Sequence, residues 1–171
     1  MKKRSKPMKI SVSAGHNPSG KIACGASDLL DESNQNRKVC KELIRLLKKK
    51  GFKVYNCTVN NGTSQLDVLR KIAAKCNSHD VDLNISIHFN SGRSDKHGDG
   101  KIGGCEVLLI EKKGSKYITA DCICKEIAKL GFTNRGVKVE DNLYFLNEET
   151  RRTMQKIMFN ETERLKKIYK I

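Results

Sequence analysis

The sequence predicts a single α/β domain with a mainly parallel, mixed and twisted sheet of about five or six strands and helices on both faces. The chain has 171 residues, which is enough for one domain with a buried core. Short apolar runs alternate with longer segments of helical periodicity, as is typical of parallel strands joined by helices. Hydrophobic residues make up 37% and Trp is absent, so we expect a core of Ile, Leu and Val.

The first half of the chain predicts three strands and two helices in alternation. Lys9–Ala14 is the first predicted strand, and Glu32–Lys50 follows with apolar residues at helical spacing. Phe52–Thr58 is the second predicted strand, and Gln65–Cys76 has one apolar face and is the second predicted helix. Leu83–Phe89 is apolar enough to be a central strand of the sheet.

The second half continues the alternation after a polar stretch. Asn90–Lys101 is rich in Gly, Ser and Asp, which predicts a surface loop. Cys105–Ile110 is the fourth predicted strand, and Ser115–Leu130 is the third long helix. Val137–Leu146 has room for another strand or two. The charged stretch Glu148–Ile171 is predicted to be helical, and a sheet strand in this terminal segment is the open alternative.

Each predicted helix has an apolar face, which we expect to pack on the sheet. Gly51 is expected to close the first helix as a C-cap. The inward residues predicted for the three helices are Val39, Leu43, Leu46 and Leu47, then Leu66, Leu69, Ile72 and Ala73, then Ile118, Cys122, Ile123 and Ile127.

The charge balance limits the classes of partner. Formal net charge is +15, from 34 Lys and Arg against 19 Asp and Glu, and this excess favours a polyanionic partner. Nucleic acid, an anionic membrane surface and acidic wall polymers all meet that description, and a solvated Lys-rich surface is an equal alternative. The sequence has no zinc-knuckle, RNP-type or basic-zipper pattern and no aromatic platform, so no stable nucleic-acid complex is expected.

Cysteine usage and the N-terminus indicate synthesis in the cytosol. The seven cysteines are odd in number and include no CxxC pair, so reduced and mostly buried thiols are expected. Residues 1–7 form a basic extension without the apolar core of a signal peptide. No window approaches the roughly 18 apolar residues of a membrane span, so no span is expected.

Three residues of metal-ligating type lie at the ends of predicted elements. His16 follows the first strand, Glu32 begins the first helix and His88 lies at the end of the third strand. Two imidazoles and one carboxylate leave one coordination position of a zinc ion open for water, so this donor set predicts a zinc hydrolase. For Glu32 a second interpretation stays open, because an acid in the first turn of a helix also stabilises the helix dipole.

Other polar residues allow weaker predictions. Asn90 comes two residues after His88 and is expected either to contact substrate or to cap the following loop. His79 and His97 lie in polar stretches and are expected to be solvated. Glu106 is expected to be structural or to lie near the substrate groove, and Gly15 to permit a tight turn.

Several short motifs occur in a fixed order between residues 8 and 147. They are Ser-Ala-Gly-His16-Asn, Asp-Glu32-Ser-Asn-Gln-Asn-Arg37, Ile-Ser-Ile-His88-Phe-Asn90, Gly104-Cys-Glu106-Val107, Asn134-Arg135-Gly136-Val137-Lys138 and Asn142-Leu-Tyr-Phe-Leu-Asn147. Together they resemble the zinc-dependent N-acetylmuramoyl-L-alanine amidases of the Amidase_3 family. The most similar variant is the catalytic domain of endolysins from phages of clostridia-like hosts.

The resemblance implies a chemistry as well as a fold. It implies a sheet with flanking helices, a Zn2+ ion held by His16, Glu32 and His88, and hydrolysis of the amide between N-acetylmuramic acid and the L-alanine of the peptidoglycan stem peptide. Zinc would lower the pKa of its water from about 15.7 towards 7 and polarise the scissile carbonyl. A further carboxylate would act as general base and then protonate the leaving amine.

The position of that general base departs from the family pattern. The usual position is occupied here by Lys156 or Ile157. Glu161 ends a short apolar run and is the candidate base if the preceding connection is a few residues longer than in the relatives. Glu148 and Glu149 are weaker candidates, because they lie in a charged connection.

We therefore expect a basic extension at residues 1–7 and an amidase catalytic domain at 8–171, with 148–171 divergent from the family pattern. The alternative is a catalytically impaired relative that binds zinc and peptidoglycan without turnover. Expected partners are peptidoglycan and anionic wall polymers, and a monomer without a separate wall-binding module is expected. A protein made in the cytosol would reach the wall through holin-type lesions or cell lysis, and mother-cell lysis during sporulation is an equal alternative.

Overall fold

One mixed sheet and three helices make up the described part of the chain. The computed structural model describes residues 6–27, 30–89 and 103–140, and the backbone of one further strand, Met154–Asn160. In chain order the elements are β1 Lys9–Ala14, α1 Glu32–Lys49, β2 Lys53–Asn56, α2 Gln65–Asn77, β3 Leu83–Phe89, β4 Gly104–Leu109, α3 Gly114–Lys129, β5 Asn134–Val139 and β6 Met154–Asn160. The predicted mixed α/β domain is confirmed.

The strand order of the sheet is β2-β1-β3-β6-β4-β5. β2, β1, β3 and β6 are parallel neighbours, whereas β4 is antiparallel to β6 and parallel to β5. The carboxyl ends of β1 and β3 therefore lie at the same edge as the amino ends of β4 and β5. This edge collects the residues that follow β1 and β3 in the sequence.

The prediction of a helix over Glu148–Ile171 is wrong for the part at Met154–Asn160. This segment is β6, which pairs with β3 on one side and with β4 on the other. Without it, β3 and β4 would each have an unpaired row of backbone donors and acceptors in the middle of the sheet. The need to pair these backbone groups outweighs the local charge pattern, because strand formation depends strongly on tertiary context.

The two faces of the sheet carry different helices. Alternate residues of a strand point to opposite faces, and two hydrophobic clusters follow this alternation. On one face, α1 and α3 pack over a cluster that includes Val12, Ile87 and Val107. On the other face, α2 packs over a smaller cluster that includes Cys57 and Leu108.

The predicted inward faces of the helices need correction. Four of the predicted inward residues are exposed, namely Leu46 at 44%, Leu66 at 42%, Ile118 at 63% and Cys122. Smaller or neighbouring side chains are buried instead, among them Cys40, Val68, Ala120 and Cys124. The other eight predicted inward residues are buried or pack partly buried against the two clusters, so the predicted faces are right except at these four positions. Within residues 6–27, 30–89 and 103–140, no helix combines the length and apolarity needed to cross a bilayer.

Candidate metal centre

The structure brings His16, Glu32 and His88 together. One ligand-type atom from each residue lies within 4.8 Å of the others. The Oε1 atom of Glu32 is 3.2 Å from His16 Nε2 and 3.1 Å from His88 Nδ1. The two imidazole rings meet edge to face, with centroids 5.0 Å apart and an interplanar angle of 81°. Residues that are 16 and 56 positions apart in the chain thus converge on one point.

His16 is held in an uncommon backbone conformation directly after β1. Its φ is 67°, which few residues other than glycine adopt without support from their surroundings. That support comes from α1. Asn36 Nδ2 donates to the carbonyl of Gly15 at 2.8 Å, and Arg37 Nη2 donates to the carbonyl of His16 at 2.9 Å. The helix that supplies Glu32 therefore also fixes the turn that presents His16.

Gly15 is needed because the ring of His88 lies against its backbone, and not, as predicted, because it permits a tight turn. Gly15 does not have a positive φ. A Cβ at this position would lie 2.1 Å from His88 Cε1, 2.4 Å from Nε2 and 2.6 Å from Nδ1. The imidazole of His88 thus lies directly against the bare backbone of Gly15. Any side chain at position 15 would occupy the space of the ring.

Gly25 forms the opposite wall of the centre. Its φ is 84°, and a Cβ there would lie 2.6 Å from Glu32 Oε2 and 2.8 Å from His16 Cδ2. A larger residue would therefore meet both side chains in a strained backbone conformation. Gly25 therefore lies directly against the candidate metal centre, and the sequence motifs do not indicate it.

Glu32 is buried and held as a carboxylate. Its Oε1 accepts from the backbone N–H of Phe89 and its Oε2 from that of Ala26, both at 3.1 Å. Burial alone would raise the pKa of Glu32, but hydrogen bonds from His16 and His88 outweigh burial and hold the pKa well below its usual range. The carboxylate is therefore ionised at neutral pH. An ionised, oriented carboxylate is suited to a cation.

Ser86 fixes the imidazole of His88. Its Oγ lies 3.1 Å from His88 Nε2, while Nδ1 of the same ring faces Glu32. A hydrogen bond at one ring nitrogen selects the tautomer and leaves the other nitrogen available to a metal. Because Ser86 and His88 are two residues apart on β3, they share one face of the sheet.

The centre opens into a cavity of about 460 Å³. A volume of this size is typical of sites for small molecules or for part of a larger chain. The cavity is lined by His16, Ala23, Cys24, Gly25, Ala26, Glu32, Gln65 and His88. The donor set fits zinc, since two imidazoles and one carboxylate are ligand types of catalytic zinc sites, and the same three side chains line the cavity.

Other predicted site residues have different outcomes. Asn90 and Glu161 lie outside the described residues, so their roles stay predictions. His79 is half-buried and stacks on Tyr55 with ring centroids 4.0 Å apart, so the prediction that it is solvated is wrong. Glu106 is buried and ion-paired with residues of β5.

Three supporting residues were missed as functional residues. Asn36 and Arg37 belong to the motif around Glu32, and Ser86 belongs to the motif around His88. Asn36 and Ser86 are fully buried polar side chains, and such groups require hydrogen-bond partners, whereas Arg37 is only partly buried. Burial of polar residues, however, is visible only in the structure.

The fold and the cluster define an α/β protein in which two imidazoles and one carboxylate could hold a metal ion. The chain belongs to the Amidase_3 family, described as N-acetylmuramoyl-L-alanine amidase, whose profile matches residues 10–164. The matched range includes His16, Glu32, His88 and the whole of β6.

Several known proteins are similar to this chain in sequence or in fold. An uncharacterized 38.4 kDa protein of Clostridium perfringens is 38% identical over 142 residues, which are 82% of this chain and 40% of that protein. The chain thus spans well under half the length of this curated relative. The catalytic domain of the CD27L endolysin targeting Clostridia difficile is 27% identical, with a TM-score of 0.73 over 94% of this chain and 89% of that domain. The CwlD amidase from Clostridioides difficile, solved with the GerS lipoprotein, is similar in fold, with 18% identity and a TM-score of 0.76 over 96% and 88% of the two chains.

Proposed function

We propose that this chain hydrolyses the amide bond between N-acetylmuramic acid and L-alanine in bacterial peptidoglycan, in a zinc-dependent reaction. The observation that carries the proposal is the convergence of His16, Glu32 and His88 beside an open cavity. Family membership supplies the class of substrate. Neither observation alone is sufficient, because a fold hosts many activities and a donor set can hold a metal without turnover.

The chain's own residues are suited to hold zinc. We propose His16 Nε2, His88 Nδ1 and the Glu32 carboxylate as its ligands, since these atoms face one another. When bound, zinc supplies an activated water at neutral pH and polarises the scissile carbonyl. Ser86 and the backbone donors to Glu32 hold the ligands in place, which reduces the rearrangement needed on binding.

Glu161 is the proposed general base. It would accept a proton from the attacking water at its carboxylate and deliver that proton to the nitrogen of the leaving amine. The support is its sequence position. β6 is parallel to β3 and ends at Asn160, so the chain leaves the sheet at the edge where His88 lies. Asn90, next to Phe89 in sequence, is proposed as a substrate contact on the same reasoning.

The test uses purified clostridial or bacillar cell walls. The zinc-loaded protein is expected to lower the turbidity of the walls and to release the free amino groups of L-alanine. Removal of zinc by a chelator should stop both signals, and added zinc should restore them. His16→Ala should reduce the rate by at least about 100-fold, because a catalytic metal site rarely tolerates the loss of one of three ligands.

His79→Ala is the matched control, because it removes an imidazole that stacks on Tyr55. It should leave turnover close to that of the original chain. Intact activity in His16→Ala would disprove the proposal. Bound zinc and co-sedimentation with walls, without release of amino groups, would instead establish the impaired, peptidoglycan-binding relative.

The cellular setting is also a proposal. We assign the catalytic domain to residues 8–171, preceded by a basic extension at 1–7. The net charge of +15 suits anionic wall polymers, and such an association should weaken as salt shortens the range of electrostatic attraction. Cell-wall lysis as an endolysin, after holin-type release, is the favoured role. Retention of duplex DNA in a filter-binding assay near physiological salt would argue for a different partner.

A further inference from the structure

An ion-paired cluster around one buried carboxylate lies on the same sheet face as His88 of the candidate metal centre. Glu106, on β4, is 5% exposed. Its Oε2 is 3.1 Å from Arg135 Nε and 2.5 Å from Lys138 Nζ, both of which come from β5. The sheet has a register shift between Cys105 and Glu106, opposite Arg135. Irregularities of this kind redirect side chains and are frequent next to active sites.

The strand register places this cluster relative to His88. β6 lies between β3 and β4, and its residue Met158 is paired with His88 on one side and with Glu106 on the other. Directly paired residues point to the same face of a sheet, so the side chains of Glu106 and His88 share a face. Neighbouring strands are about 4.8 Å apart, which puts the two Cα atoms about 10 Å apart at the same level.

The charges of the cluster favour an anionic ligand. Glu106, Arg135 and Lys138 together have a formal charge of +1. Side-chain exposure is 46% for Lys138 and 27% for Arg135, whereas that of Glu106 is 6%, so the cations are accessible while their anchor is not. The buried carboxylate of Glu106 already holds the half-exposed ammonium of Lys138 in one place. Less side-chain entropy is therefore lost when a ligand binds.

We propose that Lys138, with Arg135 beside it and Glu106 as the anchor, forms a subsite for a carboxylate of the substrate. This inference rests on the proposed function, because it takes the scissile amide to lie at the metal centre. The residue that follows L-alanine in a stem peptide is isoglutamate, which has a free carboxylate or an amide in its place. Two residues of extended chain span about 7 Å. The ammonium of Lys138 is held at the carboxylate of Glu106, and the Cα atom of Glu106 lies about 10 Å from that of His88. The substrate carboxylate would therefore come within reach of Lys138.

The experiment compares two substrates that differ in that one group, N-acetylmuramoyl-L-alanyl-D-isoglutamate and its isoglutamine counterpart. Lys138→Gln should raise KM for the acid by about 5- to 10-fold, as expected for a lost charge-assisted contact in a partly solvated site. It should leave kcat and the KM for the amide nearly unchanged. Arg135→Gln should act in the same direction. Lys113→Gln, which removes an exposed lysine paired with Glu111, is the matched control and should change neither substrate.

A purely structural cluster would behave differently. Equal losses on acid and amide, or an unchanged ratio of their KM values, would overturn the subsite. Thermal unfolding of each variant reports any loss of folding separately. The binding of the dipeptides L-alanyl-D-isoglutamate and L-alanyl-D-isoglutamine, followed by NMR, gives a readout that needs no turnover. If the original chain cleaves neither substrate, the proposed function fails. In that case the subsite is supported if the acid dipeptide binds more tightly than the amide and Lys138→Gln abolishes that preference. It is overturned if either result is absent.

Discussion

Substitution of Gly15 by Ala tests the geometry of the metal centre most directly. The new Cβ would lie 2.1 to 2.6 Å from three atoms of the His88 ring. Non-bonded carbon atoms are comfortable at about 3.5–4.0 Å, so the ring would have to retreat by about 1–1.5 Å or rotate away. Metal ligands tolerate errors of only about 0.2 Å. Gly15→Ala should therefore remove His88 from the centre while leaving its side chain intact.

We expect the zinc affinity of Gly15→Ala to fall by at least about 100-fold, which is the size of effect known for displacements of about 1 Å in functional sites. The assay is competition with a chromophoric zinc chelator, and circular dichroism monitors the fold. Urea unfolding of the zinc-free protein should also show destabilisation, because the ring and the new methyl group cannot both keep their places.

A double-mutant cycle separates this contact from a general loss of stability. In a His88→Ala background the methyl group meets no ring, so Gly15→Ala should destabilise much less than it does in the original chain. Gly51→Ala is the control for substitution of a glycine. It has a positive φ of 88° but nothing within 4 Å of the new Cβ, so it should cost about 1–2 kcal/mol and leave zinc affinity unchanged. Wild-type zinc affinity in Gly15→Ala, or equal destabilisation with and without the His88 ring, would refute the reasoning.

Three further predictions concern residues around the site and in the core. Ser86→Ala should lower zinc affinity by about 10- to 100-fold in the same chelator assay, because Ser86 fixes His88 Nε2, and an unchanged affinity would contradict that role. Asp31→Ala should lower the free energy of unfolding by about 1 kcal/mol at pH 7, since Asp31 caps α1 through the backbone N–H of Asn34. Burial would raise the pKa of Asp31, but its hydrogen bonds outweigh burial and lower the pKa. The ionised form therefore stabilises the fold above about pH 4. When urea unfolding is repeated below that pH, the difference in free energy of unfolding between Asp31→Ala and the original chain should shrink. Burial raises the pKa of Cys40 to about 12, so iodoacetamide at pH 8 should label exposed Cys122 in the folded protein and Cys40 only after unfolding, as mass spectrometry would show.

The sequence predicts most of the sheet edge that holds the metal centre. β1 and β3 have the predicted bounds, because each alternates apolar and polar residues at the strand period and is followed by a residue typical of turns, Gly15 or Asn90. The carboxyl ends of parallel neighbours meet at one edge of a sheet, so the sequence predicts that His16 and His88 lie close together. β6 could not be predicted in this way. Its place is set by the unpaired edges of β3 and β4, and neither edge is visible in the local pattern of Met154–Asn160.

The supporting residues show why a donor set read from a sequence is only part of a site. His16 is presented by a strained turn that Asn36 holds through the carbonyl of Gly15, across 21 residues of chain. The ring of His88 occupies space that exists only because Gly15, 73 residues earlier, has no side chain. A chain with His16, Glu32 and His88 but without Gly15 or Asn36 would show the same donors in its sequence and lose their arrangement in space. The identity of the candidate ligands therefore follows from residue type, whereas their geometry depends on contacts between distant segments that only the folded chain brings together.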